Sequence, residues 1–238
     1  MSLSEIITDS IKYPFSDITN FFIVGILTLL AGLSTVLAAF DVTEGALYFI
    51  GIIVSLIFSI IVSGYGLGVI RKAIENSDEF PMLDPVNNFI DGIKVIIIGI
   101  VFFIIPFIIT FILMLITGAV GAGLDNLVAG LGFGAIIAVI LFIIFAIFEI
   151  IAIARFAKTD EFGDAFNFGA IMEDIKRIGI AKIIAFLIVA FIVIFIAYII
   201  ISILAIIPFI GIIIAEIISG AFVLLFYNRG IGLLYDDA

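Results

Sequence analysis

Residues 183–207 read IIAFLIVAFIVIFIAYIIISILAII, 25 consecutive positions without a charge, closed by Lys182 on one side and Pro208 on the other. As a helix rising about 1.5 Å per residue, this run exceeds the roughly 30 Å of a bilayer's hydrocarbon. Five further segments have the same character: Phe21 to Phe40, Ala46 to Ile70, Val95 to Ile116, Leu131 to Ala154 and Phe209 to Tyr227. A chain with six such runs is predicted to be all-α and polytopic, its spans paired as three hairpins in a single membrane domain, 1–238. The two closing runs, separated by Pro208 alone, also fit one broken re-entrant element, because proline disfavours helix at the residue before it.

Basic residues orient the spans. All 10 Lys and Arg fall on alternate connections: Lys12; then Arg71, Lys72 and Lys94; then Arg155, Lys158, Lys176, Arg177 and Lys182; then Arg229. The positive-inside rule places both termini and the two long connections in the cytoplasm of a multi-pass cell-membrane protein. The connections Asp41 to Gly45 and Gly118 to Gly130 then lie outside and are too short for a domain. The first apolar run lacks a basic n-region and a cleavage site, and reads as a true first helix rather than a removable signal.

Composition agrees and excludes much chemistry. With 65% hydrophobic residues, 13% charged and a mean hydropathy of +1.50, no water-facing shell can be assembled from this chain. There is no cysteine and no histidine, which removes disulfides, thiol nucleophiles, imidazole or thiolate metal sites and histidine-centred acid–base catalysis. The net charge of −10 argues against a nucleic-acid partner and against an anionic-lipid patch. No nucleophile–base pair, phosphate loop or metal cluster emerges, so neither enzyme activity nor a metal or cofactor is expected.

Before each hairpin lies a segment with apolar residues at helical spacing. Leu3, Ile6, Ile7 and Ile11 oppose Glu5, Asp9 and Lys12. Val86, Phe89, Ile90 and Ile93 oppose Asn87, Asn88, Asp91 and Lys94, and Phe168, Ile171, Met172 and Ile175 oppose Glu173, Asp174, Lys176 and Arg177. Such stripes can lie in the head-group plane or cap the bundle, and they can also be extensions of the spans that follow. The motifs Asp9-Ser-Ile-Lys12, Asp91-Gly-Ile-Lys94 and Glu173-Asp-Ile-Lys176 suggest three repeats, 1–72, 85–156 and 166–230.

Two carboxylates fall inside the apolar runs, Glu149 and Glu216. A charge at the bilayer centre costs at least about 2.5 kcal/mol, so each is a candidate ion or proton site. Counting residues to Arg155 and Arg229 puts them at different depths, as two separate sites. The bland alternative has Glu149 snorkelling to, or pairing with, a boundary cation, and Glu216 protonated and hydrogen-bonded to Tyr198, Ser202 or Ser219. Gly64, Gly68, Gly118, Gly130 and Gly134 read as helix-packing positions, and Pro106 and Pro208 as hinges.

The stretch Gly64-Tyr-Gly-Leu-Gly-Val-Ile-Arg71, followed by Phe80-Pro81, Asp84, Phe89, Asp91-Gly-Ile-Lys94 and Ile104-Ile-Pro106, resembles domain-of-unknown-function family 4013, predominantly archaeal integral membrane proteins. Tyr13-Pro14, Arg155-Phe-Ala157 and Ala165-Phe166 extend the likeness along the chain. More distantly, the plan is similar to the membrane domains that accompany some glycerophosphodiester phosphodiesterases. The resemblance implies fold and membrane location and carries no activity. The expected role is a non-enzymatic component that organises membrane lipids or a membrane-protein partner, with a homo-oligomer possible; the alternative is a small-solute or ion transporter using Glu149 or Glu216.

Overall fold

The computed structural model describes residues 1–116, 124–207 and 210–236, with side chains of the fourth span from Ile136 onward. Among the described residues there is no strand. The described residues form nine α-helices in order: α1 (Leu3–Lys12), α2 (Ile18–Ala31), α3 (Leu33–Ala39), α4 (Gly45–Ile74), α5 (Pro85–Ile116), α6 (Leu124–Thr159), α7 (Phe168–Ile178), α8 (Ile180–Ser202) and α9 (Ile210–Asp236). Five of them, α4, α5, α6, α8 and α9, are each long and apolar enough to cross a membrane. α8 and α9 both pass that test alone, so the closing runs are two helices rather than one re-entrant element.

The first predicted span departs from expectation. It is broken at Gly32 into α2 and the short α3, and the chain before α2 turns by 87°. The turn is local chemistry. Pro14 sits in a 3-10 turn, Tyr13–Phe15, and Asp17 then takes extended dihedrals and caps α2, its Oδ1 accepting from the Asn20 amide at 3.0 Å. α1 therefore lies across the helix ends.

Of the three amphipathic segments, two are separate helices and one is not. α7 is detached from α8 by Gly179, whose φ of +91° an L side chain rarely adopts. Residues 85–94 instead run straight into the third span as the first turns of α5. Their stripe faces away from the bundle. Val86, Ile90 and Ile93 face outward, whereas Gly92 meets α4: a Cβ there would stand 1.8 Å from the Ile60 carbonyl oxygen. On α1 the buried face runs through Ile6 and Ser10 to Tyr13, leaving Ile11 outside. On α7 it takes in Asp174 along with Ile171, Ile175 and Ile178, while Phe168 and Met172 stay exposed. Ser10 fits because its hydroxyl donates to the Ile6 carbonyl at 2.7 Å and satisfies itself within its own helix.

Three arginines fasten the charged end. Arg71, in the last turns of α4, donates to Asp91 of α5 and to Asp160 (2.7 Å). Arg155, near the end of α6, donates to Asp174 of α7 at 2.9 Å, and Arg177 and the Tyr235 hydroxyl donate to the same carboxylate at 2.7 and 2.8 Å. Arg229, on α9, donates to Asp9 of α1 and to Asp78, both at 2.7 Å, and lies over the Tyr13 ring. Each arginine thus ties a hairpin to the next amphipathic segment, and the third tie returns to the first helix. The paired acid in α7 is Asp174, one residue beyond the Glu173 that the motif alignment picks out.

Candidate functional site

The apolar bundle contains a cavity of about 210 Å³ where α4, α5, α6 and α9 meet. Its polar lining is Ser63, Glu149, Tyr227 and Asn228, and apolar side chains, among them Ile70, Val95 and Ile153, complete the wall. Helical register brings the four together: Ser63 and Ile70 are seven residues apart on α4, and Glu149 and Ile153 four apart on α6.

Small residues create the space. Gly99 of α5 lies against Glu149, whose Oε1 would be 3.0 Å from a Cβ at that position, and Gly66 likewise admits the Asn228 amide at 3.0 Å. Below them α4 and α5 cross backbone to backbone, with a Cβ at Gly64 falling 1.8 Å from the Asn88 carbonyl oxygen. The Asn88 Nδ2 beside this crossing is buried without a hydrogen-bond partner among the described residues.

Two of the lining groups are already partly engaged. The Ser63 hydroxyl donates to the Ser59 carbonyl at 2.9 Å, and Asn228 Nδ2 donates to the Leu224 carbonyl at 2.8 Å. Acceptors remain on the Glu149 carboxylate, the Asn228 amide oxygen and the two hydroxyls, and donors remain on the second Asn228 N–H and the Tyr227 hydroxyl. A volume of this size holds several waters, and one carboxylate beside a few neutral polar groups in a mostly apolar wall suits a proton or a small monovalent cation. Glu149 makes no ion pair among the described residues, since its boundary neighbour Arg155 is taken by Asp174 and Asp164.

Glu216 stands elsewhere. It faces the break between α2 and α3, where a Cβ on Gly32 would lie 2.8 Å from its Oε1. Ser219 and Ser202 donate to backbone carbonyls of their own helices at 2.7 Å, and Tyr198 is exposed on α8, so none of the three is bound to the Glu216 carboxylate. The structure therefore does not unite Glu149 and Glu216. Among the packing and hinge positions, Gly68 faces Pro81 rather than a helix, and α5 continues through Pro106. Gly118 and Pro208 lie outside the described residues, as do the surroundings of Gly130 and Gly134. No group of three acidic residues placed to hold a metal occurs among the described residues.

Sequence reasoning had no access to Ser63, Tyr227 and Asn228 as partners of Glu149. The available signal was a polar pair, Tyr227-Asn228, closing an apolar run, but the helix that Glu149 would meet could not be read from it.

These features define an all-α, multi-pass membrane protein with a carboxylate at a small, mostly apolar cavity within its bundle. The chain belongs to the family described as protein of unknown function DUF4013, which it matches over residues 46–206. No curated protein and no solved structure matches it.

Proposed function

We propose that this protein binds a proton or a small monovalent cation at Glu149 and carries it across the membrane, performing no covalent chemistry. The observation that carries the reading is the cavity itself: one carboxylate and three neutral oxygen-bearing side chains in about 210 Å³ of an otherwise apolar bundle. Gly99 admits the Glu149 carboxylate against α5, and Gly66 admits the Asn228 amide against α4, so both polar groups are accommodated by missing side chains. The positive-inside pattern puts the charged end, and both termini, in the cytoplasm. The apolar stripes of α1 and α7 are divided, with Ile6, Ile171, Ile175 and Ile178 against the bundle and Ile11, Phe168 and Met172 exposed. The recurring arginine–aspartate ties support a reading of three related units.

The test is flux into proteoliposomes, with internal pyranine reporting protons and sodium-22 reporting sodium. Wild-type protein should exceed protein-free vesicles for one of the two, and Glu149→Gln should return that flux to the vesicle background. Equal flux in both proteins would remove Glu149 from the mechanism.

A second reading, a component that organises lipid or a partner helix, draws on one specific feature. An apolar groove of about 530 Å³ runs between α6 and α8, lined by Ile143, Ile147, Leu187 and Phe191 among others. An acyl chain or a transmembrane helix would fit that lining. Co-purification of a defined lipid or chain that is lost in Leu187→Trp, with flux unaffected, would favour it.

A further inference from the structure

At the charged ends of α4, α5 and α6 lies a basin of about 650 Å³, distinct from the Glu149 cavity. Arg71, Lys94 and Lys158 line it together with Glu75, Asp91 and Asp160. The formal charges cancel, but their partners do not. Glu75 is taken by Lys72, outside the basin, at 3.4 Å. Arg71 and Lys94 share Asp91, and Lys158 has no carboxylate within ion-pair distance among the described residues; its ammonium rests 5.4 Å over the Tyr235 ring. That leaves three cations against Asp91 and Asp160, an excess of one positive charge. This count is of the lining; acids outside it act on the basin only within about 8 Å in physiological salt.

Asp160 is the weakly held member. Its side chain is 78% exposed, it reaches the basin from a loop, and its carboxylate is bound by Arg71 Nη2 at 2.7 Å. The two non-bridging oxygens of a phosphodiester present the same geometry to a guanidinium as a carboxylate does. The apolar side of the basin is Ile74 and Ile90, and from Ile90 the outward row Ile93, Ile97 and Ile100 continues along α5 into the lipid-facing surface.

We propose that this basin binds a phosphate monoanion, the phosphodiester of a membrane-lipid head group, at Arg71, Lys94 and Lys158, with Asp160 the carboxylate it displaces. A lipid would lay its acyl chains along the exposed α5 row. The ligand carries the single negative charge that the basin lacks, and Asp160 occupies the place when no ligand does. The proposal stands independently of transport at Glu149.

Native mass spectrometry of the full-length protein in detergent tests it, with dioleoylphosphatidylglycerol as the lipid probe and inorganic phosphate as the soluble one. Lys158→Gln should weaken lipid binding about fivefold, the effect of one basic residue near a head group. Asp160→Asn should strengthen it by a similar factor, because it removes the competitor. Asparagine also tolerates the left-handed conformation Asp160 holds, with φ +57°, so the fold is preserved. With those opposite shifts, adducts that persist in inorganic phosphate assign the site to lipid, and adducts displaced by it assign the same site to soluble phosphate. Binding unchanged in both variants, or weakened in Asp160→Asn, overturns the proposal.

Discussion

Removing the Arg229 guanidinium should release the first helix from the bundle. Arg229 is 2% exposed and makes three directed contacts: its Nε with Asp9, its Nη2 with Asp78 and its Nη1 with the Ser77 carbonyl, while its guanidinium covers Tyr13 at 4.8 Å. A buried ion pair broken on one side costs about 3–5 kcal/mol when the surviving charge stays buried. Here the survivors do not. The Asp78 side chain is 83% exposed and that of Asp9 35%, so both acids regain water, and the loss reduces to the carbonyl contact, part of the Asp9 bond and the ring contact. The carbonyl contact belongs to the connection before α5, so the share that holds α1, from Asp9 and Tyr13, is about 2 kcal/mol, or roughly thirtyfold in the open population of α1. The native chain contains no cysteine, so Ser10→Cys, at a fully buried position on α1, is a reporter without background. Its thiol-labelling rate should rise about thirtyfold when Arg229→Gln is added. A change of less than twofold would mean that α1 is held by its apolar face alone, and the tie would be ornamental.

Other expectations follow from the same geometry. Gly92→Ala forces a methyl to within 1.8 Å of the Ile60 carbonyl oxygen, so α4 and α5 must part; a loss of at least about 3 kcal/mol should appear in thermal unfolding in detergent, whereas Gly163→Ala, with open space, should be neutral. Glu216→Gln should leave Glu149-dependent flux within about twofold, because the two carboxylates serve different places; abolished flux would join them in one pathway. Asp17 and Asp84 cap α2 and α5, and hydrogen bonds from Asn20 and Asn87 hold their carboxyls below the usual 3.8. Their support is therefore complete above pH 3.8 and fades as pH falls below it, so amide exchange corrected for intrinsic rate should accelerate in the first turns of those helices at pH 3 but not at pH 5.

The spans were legible because twenty uncharged residues have few alternatives. The break at Gly32 was not, since a glycine inside an apolar run looks the same whether the helix continues or stops, and what opposes it, Glu216, lies on a helix 184 positions later. The stripe of Val86, Ile90 and Ile93 suits an interfacial helix or an extension of the following span, and the structure has the extension. In a bilayer the outward face is the apolar one, and the inward face goes to residues such as Gly92 that let backbones touch. Asp174 was assigned to the polar face of its helix, where an isolated amphipathic helix would place it. Arg155, Arg177 and Tyr235 converge on it and hold it at 5% exposure, an arrangement set by partners remote in sequence. Glu149 was found by burial cost alone, and its cavity partners required the structure.

The tie between Arg229 and Asp9 joins residues 220 positions apart and so orders events during synthesis. Arg71 can meet Asp91 once the third span has emerged, and Arg155 can meet Asp174 soon after the fourth, but Asp9 waits for nearly the whole chain. Until the ribosome releases the last helix, the first amphipathic segment has no arginine to meet. A nascent chain halted before residue 229 should carry an α1 open to proteases, and emergence of α9 would itself be the step that closes the ring.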